Sequence, residues 1–86
     1  MANAHSNGII VVYGTNWCYD SKRARTLLDQ NHIPYEFIDI DVDMEGRKFV
    51  EETNRGCRSV PTIVFPDGSI LVEPSNQVLS EKLGLS

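Results

Sequence analysis

The chain has 86 residues, two of them cysteines, and a formal charge of −4, which suits one small domain. The negative charge argues against a nucleic-acid-binding protein that relies on general positive charge. Two cysteines are fewer than a disulfide-stapled secreted domain of this size usually carries, and the sequence lacks an apolar run that could span a membrane. We therefore expect a reducing compartment, most simply the cytoplasm, with a polar tail at residues 1–7 and one domain at residues 8–86.

The hydrophobic pattern predicts seven elements in the order β-α-β-α-β-β-α. They are a strand at 9–13, a helix at 19–31, a strand at 35–40, a helix at 44–54, strands at 60–65 and 69–72, and a helix at 76–83. Asp43 and Ser75 are the predicted N-caps of the second and third helices. Gly56 is predicted to end the second helix in the C′ position.

The order of the elements predicts a mixed α/β sheet. A strand–helix–strand unit has parallel strands and a right-handed crossover, whereas the Pro-Asp-Gly turn at residues 66–68 predicts an antiparallel hairpin. We expect a four-stranded mixed sheet flanked by three helices. On the last helix, Val78, Leu79 and Leu83 are expected to face the core.

Cys18 lies where the first strand has ended and the first helix begins, among polar residues. The N–H groups and dipole of a helix N-terminus favour the thiolate, which is the reactive species in disulfide exchange. Most free cysteines are small buried residues, but this position favours a nucleophile. Asp20 in the first turn opposes a neighbouring thiolate, and Lys22, Arg23 and Arg25 can offset it.

Ser21 stands where a dithiol redox site would carry its second cysteine. Because a hydroxyl cannot attack a mixed disulfide, an adduct on Cys18 must be resolved by an external thiol or by Cys57. Ser21 is either a hydrogen-bond donor to the thiolate or an ordinary first-turn serine. Cys57 is a resolving thiol, a metal ligand together with Cys18, or an ordinary loop cysteine. Two cysteines make a weak case for a metal site.

Val60-Pro61 opens a strand that should be central, where proline removes a ladder donor. A cis peptide bond is one resolution, and it would present the Val60 backbone to an extended ligand. An ordinary trans proline that opens the strand is the alternative. Basic residues flank both this segment and the Cys18 segment: Lys22, Arg23, Arg25, Arg55 and Arg58. One interpretation is that they attract an anionic thiol or an acidic partner. The alternative is that they are ordinary solvated charges.

Two segments of the chain resemble the glutaredoxin family. The first is the run Thr-Asn-Trp-Cys-Tyr-Asp-Ser at residues 15–21, which follows a strand ending Val-Val-Tyr-Gly. The second is Arg-Ser-Val-Pro-Thr at residues 58–62. The resemblance extends from about residue 8 to residue 83, and residues 60–75 are most similar to actinobacterial mycoredoxins. It implies a thioredoxin-like fold, a nucleophilic Cys18 and a cis Pro61. Thr15 stands where many glutathione-binding members carry a lysine. The substrate-binding residues that the resemblance implies are Thr15, Trp17, Tyr19, Val60, Pro61 and Thr62.

The activity that the resemblance implies is reduction of mixed disulfides between a protein and a small thiol. Family members usually carry Cys-x-x-Cys, so Ser21 makes this chain similar to monothiol members, in which a second small thiol regenerates Cys18. The small thiol would be glutathione, mycothiol or bacillithiol, without a bound metal. We expect a monomer that acts on oxidised or thiolated proteins, with no nucleic-acid or membrane partner.

Two alternatives use the same fold. One is a module in which two chains hold an iron–sulfur cluster through Cys18 and an external thiol. The other is a protein-interaction module that has lost turnover.

Overall fold

A computed structural model of the chain describes residues 8–85. Within them the predicted order of elements is confirmed: β1 (Ile10–Gly14), α1 (Tyr19–Gln30), β2 (Tyr35–Asp39), α2 (Met44–Thr53), β3 (Thr62–Val64), β4 (Ile70–Val72) and α3 (Asn76–Leu83). The third strand begins two residues later than the sequence predicts, because Pro61 has no N–H to donate to the ladder. It ends one residue earlier, because the Phe65 amide and carbonyl bond to Ser69 and Gly68 in the turn that follows. The tail at residues 1–7 and the last residue of the predicted domain lie outside the described residues.

The strands form one mixed sheet in the order β2-β1-β3-β4. β1 pairs in parallel with β2, whereas β3 is antiparallel to both β1 and β4. In this register Tyr13 lies opposite both Ile38 and Thr62. The carboxyl end of the central strand therefore lies beside the start of β3.

Both faces of the sheet are covered, and this explains the continuous apolar run of β1, which is buried throughout. Helices α1 and α3 cover one face, and α2 covers the other. The core of the first face contains Ile10, Val12, Ala24, Leu28, Ile63, Phe65 and Leu79. The core of the second contains Val11, Tyr13, Ile38, Ile40 and Val50.

The predicted N-caps are confirmed. The Asp43 carboxylate accepts a hydrogen bond from the Gly46 amide at 2.7 Å, and the Ser75 hydroxyl oxygen accepts one from the Val78 amide at 3.2 Å. These bonds satisfy amide groups that have no partner within the helix. They fix where α2 and α3 begin.

The predicted end of α2 is wrong by one residue. The C-cap is Asn54, so the C′ residue is Arg55 (φ 58°) and Gly56 (φ 92°) follows it. The reason is the Asn54 side chain, which donates to the Val50 carbonyl at 2.8 Å and to the Thr62 hydroxyl oxygen at 3.2 Å. This amide ties the end of α2 to the start of β3.

The prediction that Val78 faces the core is also wrong. Its exposed fraction is 44%, whereas Leu79 is fully buried and Leu83 packs against the core of the same face. Residues four apart lie on one side of a helix, and consecutive residues do not. The short helix α3 therefore buries Leu79 and Leu83 and leaves Val78 in solvent.

Candidate active site

Cys18 is the N-cap residue of α1, with extended backbone at φ −81° and ψ 125°. Its side chain is half-buried and makes no capping hydrogen bond, while its carbonyl accepts from the Lys22 amide at 3.1 Å. The thiol thus lies at the N-terminal end of a helix of 12 residues and is accessible from solvent. Such an end carries partial positive charge that stabilises an anion.

Ser21 lies one turn further on and is fully buried. Its hydroxyl oxygen accepts a long hydrogen bond of 3.4 Å from the Thr15 amide. Among the described residues it forms no hydrogen bond with the Cys18 sulfur. The Ser21 hydroxyl therefore contacts the loop that leads to Cys18, and it is not accessible to solvent because Ser21 has an exposed fraction of zero.

Gly14 makes room for this arrangement. A Cβ atom added at Gly14 would lie 2.6 Å from the Ser21 hydroxyl oxygen and 3.0 Å from the Ser21 Cβ. Both distances are shorter than ordinary contacts between unbonded atoms. Glycine thus lets the first turn of α1 pack directly on the end of the central strand.

Trp17 and Tyr19 flank Cys18 and are 72% and 73% exposed. The indole N–H of Trp17 donates to the Asp41 carboxylate at 2.7 Å, and the Asn16 side chain donates to the Asp39 carboxylate at 3.0 Å. The loop before α1 is therefore attached to the loop after β2, and the exposed indole is held in one orientation.

Thr15 lies beneath this surface, with an exposed fraction of 2%. Its hydroxyl oxygen is buried and forms no hydrogen bond within the described part of the chain. An unpaired buried hydroxyl costs free energy. The Thr15 side chain is thus part of the protein interior in this conformation and does not lie on the surface beside Cys18.

The Val60–Pro61 peptide bond is cis. Because Tyr13 pairs with Thr62 in antiparallel register, the residues just before Thr62 lie alongside Gly14 and the loop that follows it. Pro61 and Thr62 are buried and Val60 is half-exposed. The Thr62 hydroxyl donates to the Ser59 carbonyl at 2.7 Å, which fixes the segment that approaches the Cys18 loop.

The backbone of Val60 is available to a ligand. Among residues 8–85, no hydrogen bond occupies its amide or its carbonyl, whereas the Pro61 carbonyl accepts from the Glu73 amide at 2.8 Å. A free donor and acceptor on half-exposed backbone can pair with an extended peptide. Cys57 is exposed in the preceding loop, and both cysteines are free thiols.

Most of the basic residues near the site have partners. Arg23 pairs with Asp20 at 3.0 Å, and Arg58 pairs with Glu51 at 2.7 Å. The Arg25 guanidinium lies 3.8 Å from the centre of the Phe37 ring. The predicted offset of the Asp20 charge by Arg23 is therefore a direct ion pair, and Arg25 and Arg58 also contact groups of this chain.

Sequence reasoning missed the part that Asp39 and Asp41 play in holding the loop. The signal was the acidic run at residues 39–43, which the sequence presents only as a cluster of charge. No group of three or more His, Cys, Asp or Glu side chains within residues 8–85 is placed to hold a metal ion. Nor does any described helix have the length and apolar character needed to cross a bilayer.

A cysteine at a helix start beside a cis-proline segment is the arrangement that the resemblance implies. The glutaredoxin family model matches residues 10–70. The chain belongs to the glutaredoxin family. This match confirms the predicted family. The members of the family are thiol–disulfide oxidoreductases.

Two relatives support this membership. A glutaredoxin-like protein of Mycobacterium tuberculosis is 39% identical over 74 residues, which cover 86% of this chain and 88% of the relative. Mycoredoxin 1 of Corynebacterium glutamicum is 34% identical over 65 residues, which cover 76% of this chain and 80% of the relative. This glutaredoxin is thus similar to mycoredoxins along most of its length.

The thioredoxin-like fold is confirmed as well. A thioredoxin-like protein of known crystal structure is similar to this glutaredoxin with a TM-score of 0.78. The match covers 90% of this chain and 96% of that protein, at 23% sequence identity. At this identity the likeness establishes the fold.

Proposed function

We propose that this glutaredoxin reduces mixed disulfides between proteins and a small thiol by a monothiol mechanism. The observation that carries the proposal is the contrast between Cys18 and Ser21. Cys18 is accessible at the N-terminus of α1, whereas the position of a second thiol holds a fully buried hydroxyl. One sulfur and no neighbouring resolving group suit a reaction in which the small thiol serves as the second nucleophile.

The reaction has two exchange steps. The Cys18 thiolate attacks the small-thiol sulfur of the mixed disulfide, the original S–S bond breaks, and the protein substrate leaves as a thiolate that takes a proton from water. A second small-thiol thiolate then attacks the same sulfur in the Cys18 adduct. This step forms the small-thiol disulfide and returns Cys18 as a thiolate. The substrate gains two electrons, and one small-thiol molecule is consumed as reductant.

The chain's own residues orient the disulfide. Trp17 and Tyr19 are the exposed neighbours of Cys18 in the chain, and in this proposal they line the groove that holds the disulfide. The unpaired amide and carbonyl of Val60 supply backbone hydrogen bonds to an extended ligand, and Thr62 holds that segment through Ser59. In-line attack requires the three sulfur atoms to be aligned, so such positioning contributes to the rate.

We propose mycothiol as the small thiol, because the chain is similar to mycoredoxin 1 along most of its length. Glutathione and bacillithiol are the alternatives to test. Regeneration by free small thiol needs a reducing compartment, which supports the cytoplasm as the location. The mechanism uses one thiol from one chain, so the protein would act as a monomer.

The test is a mixed-disulfide reduction assay on the wild type, Cys18→Ser, Ser21→Ala and Cys57→Ser. We expect Cys18→Ser to abolish turnover, because the other free thiol, Cys57, lies in a loop and lacks the helix N-terminus that activates Cys18. We expect Cys57→Ser to keep wild-type turnover, because the external thiol resolves the adduct. Equal rates for the wild type and Cys18→Ser would refute the oxidoreductase proposal, and loss of turnover in Cys57→Ser would make Cys57 the resolving thiol.

The small thiol is identified by a second measurement. The protein is exposed to oxidised mycothiol, glutathione or bacillithiol, and the mass of the Cys18 adduct is determined before and after addition of the matching free thiol. We expect the mycothiol adduct to form and to be removed fastest. Preferential formation and removal of either other adduct would contradict the proposed identity.

A further inference from the structure

Three large apolar side chains are exposed to solvent in the loop before Cys18 and in or next to the β2–α2 loop. Trp17 is 72% exposed, Val42 is 78% exposed and Met44 is 72% exposed. We call these three residues the apolar rim. Large apolar side chains grouped in solvent on a small protein mark a surface where a partner binds.

Hydrogen bonds hold the loops that carry Trp17 and Val42 next to each other. The Trp17 indole N–H donates to Asp41 at 2.7 Å, and Val42 is the next residue. The Val42 and Asp43 amides both donate to the Asp39 carbonyl, at 3.2 and 2.9 Å. The loop is thus a hydrogen-bonded turn that carries Val42 beside Trp17, and Met44 follows as the first residue of α2. A preformed surface loses little conformational entropy when a partner binds.

The turn that carries Val42 and leads to Met44 is rich in carboxylates. The four carboxylates of the turn belong to Asp39, Asp41, Asp43 and Glu45, and no basic residue occurs between residues 33 and 46. The first basic residues beyond the turn, Arg47 and Lys48, lie on α2, where they and Arg58 line one surface depression with Met44 and Glu45. A carboxylate cluster selects a cationic partner and repels an acidic one.

We propose that the apolar rim and the carboxylates of its turn are the docking surface for the protein substrate of Cys18. The occupant is a substrate segment with an apolar residue and flanking Lys or Arg side chains near the thiolated cysteine. The apolar residue packs on Trp17, Val42 and Met44, and the cationic groups meet Asp41 and Glu45. This inference rests on the proposed function, and it names the class of substrate that the site prefers.

The experiment uses three peptides of equal length, each joined to the same small thiol through one cysteine. One carries a leucine and two lysines, the second carries the leucine and two glutamates, and the third has serine in place of leucine. The value of kcat/KM is measured for each and divided by that for hydroxyethyl disulfide, which lacks the flanking groups. We expect the wild type to prefer the lysine peptide to the glutamate peptide by about tenfold, and added salt to reduce the preference.

Two double variants separate the contributions of charge and apolar contact. The first combines Asp41→Asn with Glu45→Gln and removes two charges, while the asparagine keeps an acceptor for the Trp17 indole. We expect this variant to lose most of the preference for the lysine peptide over the glutamate peptide. Val42→Ser with Met44→Gln should lower the ratio of peptide to hydroxyethyl disulfide reduction by roughly threefold to tenfold, since apolar area is no longer buried.

The matched controls are Val78→Ser and Glu81→Gln on α3, which lies on the opposite face of the sheet. Equal values for the lysine and glutamate peptides, or equal losses in the α3 controls, would overturn the docking surface. So would a dimer, detected by sedimentation, that Met44→Gln dissociates, because a second copy would then be the occupant. If the wild type reduces hydroxyethyl disulfide and does not discriminate among the peptides, only the docking inference fails. If Cys18→Ser matches the wild type on hydroxyethyl disulfide, the proposed function fails.

Discussion

Gly14→Ala tests whether the first turn of α1 depends on direct contact with the central strand. The new Cβ would lie 2.6 Å from the Ser21 hydroxyl oxygen, 3.0 Å from the Ser21 Cβ and 3.3 Å from a ring carbon of Phe37. Gly14 and Ser21 are both buried, so atoms must move to admit the methyl group. Overpacking of this kind costs roughly 1–3 kcal/mol, and we expect about 2 kcal/mol here.

The same contacts set the expected result of a double-mutant cycle. Ser21→Ala removes the oxygen at 2.6 Å and leaves the Cβ at 3.0 Å. Gly14→Ala should therefore cost about 1 kcal/mol less in the Ser21→Ala background, a coupling that is typical of residues in contact. Chemical denaturation of the four proteins measures it. In a thermal melt, a loss of about 2 kcal/mol lowers Tm by roughly 8–16 °C in a domain of this size.

Two results would refute this reasoning. Gly14→Ala with the denaturation midpoint of the wild type would mean that the strand and helix are not in close contact. An equal cost in the wild-type and Ser21→Ala backgrounds would mean that the Ser21 hydroxyl takes no part in the clash. Slower Cys18 alkylation that accompanies the loss of stability would support a link between this contact and the position of the thiol.

Three further predictions concern burial and charge. Thr15→Val replaces a buried hydroxyl that lacks a partner among the described residues; we expect unchanged or higher stability, by up to about 2 kcal/mol, and a clear loss in a denaturation assay would contradict it. Leu79→Ala should lower the free energy of unfolding by roughly 2–5 kcal/mol, whereas Val78→Ala should change it by less than about 0.5 kcal/mol. Equal losses in the two variants would argue against the described orientation of α3. The Ser69 hydroxyl, which donates to Asp67 at 2.6 Å, is the main reason why the pKa of Asp67 is lowered from 3.8 to about 2. A carboxyl group whose pKa is lowered by folding stabilises the fold at pH values above its ordinary pKa, and this stabilisation is lost as the pH falls through the pKa of the folded state. Ser69→Ala should therefore move the titration of Asp67, followed by NMR, toward 3.8. An unchanged titration would exclude the hydroxyl as the cause.

The main features of the fold could be predicted because they depend on patterns along the chain. The continuous apolar run of β1 indicated a strand covered on both faces, and the structure buries all five of its residues. The caps Asp43 and Ser75 bond to amides three residues ahead, so they too are local signals. The end of α2 was not predictable in this way, because it depends on a contact between Asn54, the C-cap of the helix, and Thr62 in strand β3.

The candidate site was predictable to the same extent. Cys18 and Pro61 could be brought together because both lie at strand ends that a mixed sheet makes adjacent. The contacts of Asn16 with Asp39 and of Trp17 with Asp41 join residues 23 and 24 positions apart. No periodicity encodes such side-chain contacts between two loops, which depend on how the loops fold against each other. For the same reason, the burial of Thr15 could not be read from its position next to the Cys18 loop.

The tethered indole of Trp17 gives this protein an optical probe of its own. It is the only tryptophan in the sequence, it is the residue directly before Cys18, and its N–H is held by a carboxylate. Indole emission responds to nearby solvent and charge, so a group attached to the neighbouring sulfur will change it. The proposed loading and unloading of Cys18 can therefore be tested in real time by intrinsic fluorescence, without a dye or a label.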